Sequence, residues 1–213
     1  MIERILPGGV VTATAYGDPA EAALLPEEEP AVARAVDKRR REFTTVRWCA
    51  RRALAGLGLP PVPIPRGDKG APRWPDGVVG SMTHCDGYRA AAVARAADLT
   101  ALGIDAEPHG PLPDGVLEAV AREEELTRLD DLRRASPGVH WDRLLFSAKE
   151  SVYKAWFPVT GRWLGFEDAS LAFDPGGTFR AEILADDAPF PAFEGRWAAD
   201  DGLAVTAIAV PAR

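Results

Sequence analysis

Cysteine is scarce in this chain: Cys49 and Cys85 are the two among 213 residues. So small a number gives no disulfide framework, and a reducing cytoplasm is the compartment that fits. Long apolar runs are missing as well, since no stretch approaches the roughly 20 residues that cross a bilayer. The first residues hold an acidic Glu3 and no apolar stretch of signal-peptide form. The expectation is a cytoplasmic protein with no membrane partner. The basic run Lys38-Arg39-Arg40-Arg41 contains no interleaved aromatic of the kind a base-stacking platform needs, and the whole chain is acidic at −7. Nucleic acid is therefore not expected as a partner. The apolar fraction is an ordinary 46%, enough at this length for one compact domain or two tightly packed halves.

Three short segments carry chemistry. Ser147, with Glu150 three residues on, has capping-box spacing, which predicts a helix starting at Ser147. Glu150 and Lys154 then share a face near an N-terminus whose free N–H groups favour anions. In Gly103-Ile104-Asp105-Ala106-Glu107, the alternation of apolar with small or acidic residues predicts a strand ending near Pro108. Asp105 and Glu107 would face one way, about 7 Å apart, as hard oxygen ligands suited to Mg²⁺. In Gly80-Ser81-Met82-Thr83-His84-Cys85-Asp86-Gly87, Ser81, Thr83 and His84 supply hydroxyl and imidazole donors of the kind that hold phosphate oxygens. The Asp86-Gly87 turn leads that loop into a strand. Cys85 and His84 are poorly placed as a nucleophile pair, because neighbours on extended chain point to opposite faces. Singly, each segment reads as plain structure too: a capped helix with an ion pair, a solvated edge strand, a histidine in a turn.

In this order, however, Ser81-Met82-Thr83-His84, Gly103 to Glu107 and Phe146 to Ala155 resemble the signature of the 4′-phosphopantetheinyl transferases of the surfactin-synthetase-activating type. Those enzymes carry a Ser-x-Thr-His segment, a Gly-Ile-Asp-x-Glu strand and a Phe-Ser-x-Lys-Glu-x-x-x-Lys-Ala helix. The likeness extends over Lys38 to Arg47 and Arg66-Gly67-Asp68-Lys69-Gly70-Ala71-Pro72. It covers most of residues 30–170, and the pattern looks most like that of actinobacterial members serving polyketide and peptide synthases. It implies an α+β fold, a pseudo-twofold arrangement of two similar α+β halves with coenzyme A bound between them. The implied reaction moves the 4′-phosphopantetheine arm of coenzyme A to a serine of an apo acyl or peptidyl carrier protein, releasing adenosine 3′,5′-bisphosphate. Polyketide, nonribosomal peptide and siderophore carriers are all in view, and a monomer is expected.

Residue by residue, the resemblance assigns Arg39 and Arg47 to phosphates of coenzyme A, and Arg66, Gly67, Asp68 and Lys69 to the adenosine 3′-phosphate and base. Thr83 and His84 would bind the nucleotide phosphates. Asp105, Glu107 and Glu150 would hold Mg²⁺, with Mn²⁺ as the alternative metal. Glu150 would also accept the serine proton, directly or through a metal-bound water, with His84 and Asp105 beside it. Lys154 would offer a point charge to the phosphate. Lys149 comes with the motif without a clear role. Leu164, within Trp163-Leu164-Gly165-Phe166, would line the pantetheine arm, core packing being the simpler alternative.

The charge distribution agrees. Residues 1–102 hold 14 Lys+Arg and 12 Asp+Glu, a net of +2, and residues 103–213 hold 11 and 20, a net of −9. An anionic ligand suits the first half and a metal the second, which places a nucleotide-plus-Mg²⁺ site at the junction. The halves 1–102 and 103–213 are accordingly expected as a coenzyme A phosphate-binding lobe and a metal-bearing lobe. A faint echo links them. Phe43 to Arg47 parallels Phe146 to Glu150, and Asp86-Gly87 with its apolar run parallels Asp201-Gly202 with Ala204 to Ile208.

Coarse signals predict a helical start at Pro26 to Pro30, then a helix capped by Asp37 and ending at Gly56 or Gly58. Residues 60–65, rich in proline, form an extended connector. Strands are expected at Val78–Val79, Ala90–Ala94 and Thr100–Ala106, and a helix over Val116 to Arg134. A hairpin is expected around Asp174-Pro175-Gly176-Gly177. Leu112, Val116, Leu117 and Val120 recur at helical spacing, as a carrier-docking stripe or as core. Two rival functions remain: a Mg²⁺-dependent hydrolase of coenzyme A or a related pyrophosphate, and a non-catalytic coenzyme A-binding module. The intact carboxylate set argues against the module.

Overall fold

The computed structural model describes residues 1–212. Its first strand, β1 (Val11–Tyr16), precedes a 3₁₀ segment at Pro26–Val32 and the long helix α1 (Asp37–Gly56). The hairpin β2 (Val78–Cys85) and β3 (Tyr88–Arg95) follows, then β4 (Leu99–Pro108). Helices α2 (Val116–Val120), α3 (Glu123–Ala135) and α4 (Trp141–Thr160) come next. Strands β5 (Ala169–Asp174), β6 (Thr178–Ile183), β7 (Ala192–Asp200) and β8 (Leu203–Pro211) complete the chain. No helix among the described residues is long and apolar enough to cross a membrane.

The strands form two antiparallel sheets, ordered β1-β3-β2 and β4-β8-β7-β6-β5. The orders correspond: a strand, a long helix and a Gly-turned hairpin give β1-β3-β2 in the first sheet and β4-β8-β7 in the second. The Asp86-Gly87 and Asp201-Gly202 turns close the equivalent hairpins, so the faint sequence echo marks a repeated topology. Strands β5 and β6 extend the second sheet alone.

Packing explains the patterns. Helix α4 buries Trp141, Leu144, Leu145, Ala148, Val152, Ala155 and Trp156 at three- and four-residue intervals, against Phe179, Phe193 and Ile208 of the large sheet. Helix α1 lays Cys49, Ala50, Ala53 and Leu54 on Ala91 and Val93 of β3. The opposite face of β3, Ala90, Ala92 and Ala94, meets Ile104 and Ala106 of β4 and Val205 and Ala207 of β8. With both faces covered, β3 reads as a continuous apolar run rather than an alternating one.

The two sheets meet along β2 and β4. Side-chain hydroxyls replace backbone carbonyls at this seam. The Ile104 N–H donates to Ser81 Oγ at 3.0 Å, and the Ala106 N–H donates to Thr83 Oγ1 at 3.0 Å. The pairs advance together, 81 to 83 and 104 to 106, so the strands run parallel here, held one side-chain length apart.

Several expectations are corrected. Helix α4 starts at Trp141, six residues before Ser147. Ser147 is fully buried, and its hydroxyl shares a hydrogen bond with Thr206 Oγ1 at 2.9 Å instead of capping. The apolar stripe through Trp141, Leu144 and Leu145 propagates the helix N-terminally, so Glu150 and Lys154 lie mid-helix, away from any free N–H groups. Asp37 is likewise the first helical residue, behind the N-cap Val36. Residues 81–84 belong to strand β2, not to a loop. The single helix expected over Val116 to Arg134 breaks at Ala121-Arg122, because the Glu125 carboxylate accepts from the Arg122 N–H at 2.7 Å and starts α3 afresh. Of the stripe, Val120 is buried and Leu117 packs against the core, whereas Leu112 and Val116 are half-buried outside it.

Candidate active site

A cavity of about 530 Å³ opens where the two sheets meet. Helix α1 contributes Arg39, Phe43 and Arg47, and the segment after the proline-rich connector contributes Arg66 and Lys69. Strand β2 supplies Ser81, Thr83 and His84, β4 supplies Asp105 and Glu107, and α4 supplies Phe146, Glu150, Tyr153 and Lys154. The echoed pairs Phe43/Phe146 and Arg47/Glu150 therefore line one cavity from opposite lobes. Cations gather on the first-lobe wall and carboxylates on the second.

On the basic wall, Arg47 is 4% exposed, stacked 3.2 Å from the Phe43 ring centroid, and donates through Nε to the Ile64 carbonyl at 3.0 Å. Burial pulls its guanidinium down to about 9, still protonated at neutral pH. Arg39 contacts His84 Nε2 through Nη1. Burial, then the charge of Arg39, lowers the His84 pKa, so the neutral ring is the acceptor in that contact. Lys69 sits on a 3₁₀ turn with φ of 50°, between Asp68 and Gly70, and lines the cavity.

On the acidic wall, Asp105 is 4% exposed. Its Oδ1 accepts from Lys154 Nζ at 2.7 Å and from Thr83 Oγ1 at 3.1 Å, while Oδ2 is buried without a hydrogen-bond partner. Lys154 also donates to the Ile104 carbonyl at 3.2 Å, which leaves one of its three N–H groups for the cavity. Glu107 Oε2 accepts from Arg143 Nη1 at 3.0 Å. Burial raises the Glu107 pKa and neighbouring Asp105 adds to it, against Arg143. Burial also raises Glu150, with Lys154 opposing and Asp105 adding. Glu107 and Glu150 thus lie on a poorly solvated wall, and the neighbouring charge of Asp105 opposes the charge of each, a strain that a cation relieves.

A divalent metal fits this donor set. Asp105 Oδ2 is an orphaned buried acceptor on the cavity wall, and Mg²⁺ needs only one or two carboxylates when water and phosphate complete its shell. The three carboxylates are not drawn around a common point, however. Among the described residues no group of three His, Cys, Asp or Glu is arranged to hold a metal. Lys154 and Arg143 occupy part of the charge a metal would share.

Arg39, Arg47, Arg66, Lys69, Thr83, His84, Asp105, Glu107, Glu150 and Lys154 all line the one cavity. Gly67, Asp68 and Leu164 do not. Gly67 is wedged against the Ala71 carbonyl and Arg73, Asp68 is exposed at the start of the turn, and Leu164 lines an adjoining cavity of about 140 Å³. That side cavity shares Glu150 and Tyr153 with the main one and is closed by Trp163, Leu164 and Phe166. The Thr83 hydroxyl is committed to Asp105 and to the seam, so Thr83 serves the carboxylate. Cys85 is buried with its thiol pushed up to about 12 by burial and the nearby carboxylates, which makes it inert. Sequence reading missed Phe146, Tyr153 and Phe157, because cavity-facing apolar residues on a helix have the same spacing as core. It also missed Arg143, which only the approach of α4 to the end of β4 brings to Glu107.

An antiparallel α+β pair of lobes with a basic wall facing carboxylates across one cleft suits an enzyme that handles a phosphorylated nucleotide beside a cation. Comparison with known proteins supplies the family. Residues 101–208 match the model of the 4′-phosphopantetheinyl transferase superfamily, and residues 27–94 match that of the 4′-phosphopantetheinyl transferase N-terminal domain. The chain is 58% identical, over a 224-residue alignment, to the 4′-phosphopantetheinyl transferase Svp of Streptomyces mobaraensis, covering 100% of this chain and 90% of that one. It is 50% identical to PptT of Mycobacterium tuberculosis over 222 residues, covering 98% and 97% of the two chains. Identity to the enterobactin synthase component D of Salmonella typhimurium is 35% over 124 residues. The chain belongs to the 4′-phosphopantetheinyl transferase superfamily and is a transferase of that kind.

Proposed function

We propose that this enzyme transfers the 4′-phosphopantetheine arm of coenzyme A to a serine of apo acyl or peptidyl carrier domains in the cleft between its lobes, with Mg²⁺ held by Asp105, Glu107 and Glu150. The observation that carries this reading is the facing of Arg39, Arg47, Arg66 and Lys69 with that carboxylate wall across one cavity. When bound, the metal supplies Lewis-acid neutralisation of the pyrophosphate. Arg39, His84 and Lys69 bind the nucleotide phosphates, with Arg39 exchanging its contact to His84 for an anion. Lys154 presents its remaining N–H to the phosphate while Asp105 and the Ile104 carbonyl fix its position. Glu150, on the cavity wall one helical turn from Lys154, accepts the serine proton. The apolar side cavity beside Glu150 takes the pantetheine arm.

On this reading the first lobe, residues 1–102, binds the phosphates and adenine, and the second, 103–213, carries the metal and the base. The enzyme works as a cytoplasmic monomer with both cysteines reduced. The direct test incubates the protein with coenzyme A, Mg²⁺ and an apo carrier domain and follows the carrier by mass spectrometry. A mass gain of one phosphopantetheine arm, lost on chelation, supports the reading. Release of adenosine 3′,5′-bisphosphate with no gain on the carrier would instead mean hydrolysis.

Lys69 and Arg47 separate binding from structure. Lys69→Ala, at an exposed turn, is expected to raise KM for coenzyme A by the equivalent of about 1.5–3 kcal/mol, typical of a lost charge-assisted hydrogen bond, with thermal stability unchanged. Arg47→Ala should raise KM comparably and also lower the melting temperature, because Arg47 stacks on Phe43 and anchors Ile64. Steady-state kinetics with melting curves checks both; equal melting losses in the two variants contradict the assignment.

A further inference from the structure

Lys149 stands beside Glu150 on α4, yet its ammonium is spent. It donates to the Phe166 carbonyl at 2.6 Å and the Ala169 carbonyl at 3.0 Å, and it pairs with Glu125 Oε2 at 2.8 Å. An ammonium has three N–H donors, so none remains for a ligand. This contrasts with Lys154, one turn away, which keeps one. The Lys149–Glu125 pair is almost fully buried, each side chain 1% exposed. Glu125 in turn accepts from the Leu171 N–H at 2.7 Å and the Arg122 N–H at 2.7 Å. One buried ion pair therefore ties α3, α4 and the backbone of residues 166–171 together.

That backbone matters because residues 163–166 form the far wall of the side cavity whose near wall is Lys149, Glu150, Val152 and Tyr153. Lys149 lines it with its stem while its ammonium is spent on the far wall, so Glu125 carries the cleaner test of positioning. We propose that Lys149 is a positioning residue: with Glu125 it staples the 163–169 segment at a fixed distance from α4, and so sets the width of the arm-binding cavity without touching the phosphates. The assignment rests on the reading that this cavity takes the pantetheine arm. Glu125 lines neither cavity, so it shares the role although it cannot contact coenzyme A.

Two ligands separate the possibilities in the full-length enzyme: coenzyme A, and 3′-phosphoadenosine 5′-diphosphate, which keeps every phosphate but lacks the arm. The variants are Glu125→Gln, Lys149→Met/Glu125→Met and Trp163→Ala. The double variant strands no charge, whereas removing one partner does. Because it also frees the backbone groups at 122, 166, 169 and 171, binding is read on protein whose melting curve shows a folded state. Glu125→Gln, which keeps hydrogen-bonding capacity, is the milder variant. Trp163 is 68% exposed, and its loss alters the wall without disturbing the core. Calorimetry should show coenzyme A binding weakened roughly tenfold or more in the Glu125 and double variants, as a loosened binding wall implies, with the arm-less nucleotide unaffected. KM should rise more than kcat falls per active site. If the double variant weakens both ligands alike, Lys149 touches phosphate and the proposal is wrong. If the double variant and Glu125→Gln leave coenzyme A binding intact while Trp163→Ala weakens it, the staple is overturned but the arm still lies in the side cavity. If Trp163→Ala also leaves it intact, the arm lies elsewhere, and both the cavity reading and the staple fall.

Discussion

Glu150→Gln is expected to lower phosphopantetheine transfer by about 10²–10⁴-fold, the span of a lost general base, while coenzyme A affinity and melting temperature stay close to those of the parent. The reason is geometric. Among the described residues Glu150 makes no hydrogen bond that shapes the fold, so Gln keeps its volume and removes its charge, its basicity and, on the proposed reading, one metal ligand. Among the described residues it is the carboxylate that lines both cavities, the one proposed to hold the phosphates and the one proposed to hold the arm. Burial and Asp105 hold its pKa above the ordinary carboxylate range. Carrier mass shift against time, beside calorimetric titration of coenzyme A, measures the two quantities separately. Transfer within a few-fold of the parent would remove Glu150 from the mechanism.

Gly103→Ala should damage the fold more than any surface change near the site. A Cβ at Gly103 would lie 2.1 Å from the Ser151 carbonyl oxygen and 2.8 Å from the Ala155 nitrogen. Both are backbone atoms of α4, which cannot swing aside as a side chain can. Relief requires α4 to move off β4, separating Glu150 and Lys154 from Asp105. Overpacking of this kind costs about 3 kcal/mol or more, which is roughly 6–12 °C of melting temperature at this chain length. Gly110→Ala is the matched control, since no atom lies within 4 Å of its Cβ and its φ is not positive. A Gly103→Ala protein that melts with the parent would show that α4 and β4 are less closely apposed than this structure has them.

The glycine before Ile104 also shows what could and could not be read in advance. The Gly-Ile-Asp-x-Glu strand is legible, since β4 carries Asp105 and Glu107 on one face as strand periodicity requires. Its glycine carries no signal for the helix that presses on it. The repeated hairpin turns at Asp86-Gly87 and Asp201-Gly202 are local chemistry, and they anticipated the repeated topology correctly. Ser147 misled for the same reason that local chemistry usually succeeds: capping-box spacing describes a possible helix start, but the Trp141, Leu144, Leu145 stripe offered more burial and extended the helix past it.

What the sequence determined by itself is what depends on residue type and short spacing. The basic first half, the acidic second half, the positions of the hydroxyl, imidazole and carboxylate groups, and most strands follow from charge, pleat and turn chemistry a few residues wide. Tertiary structure alone decided which of those groups have anything left to give a ligand. Lys149 and Lys154 are the same side chain five residues apart on one helix, and nothing in their spacing tells them apart. One is exhausted by Phe166, Ala169 and Glu125, the other keeps a donor beside Asp105. Those partners lie between 17 and 50 residues away along the chain, and a hydrogen-bond count becomes definite only when folding has brought them within 3 Å or so of one another.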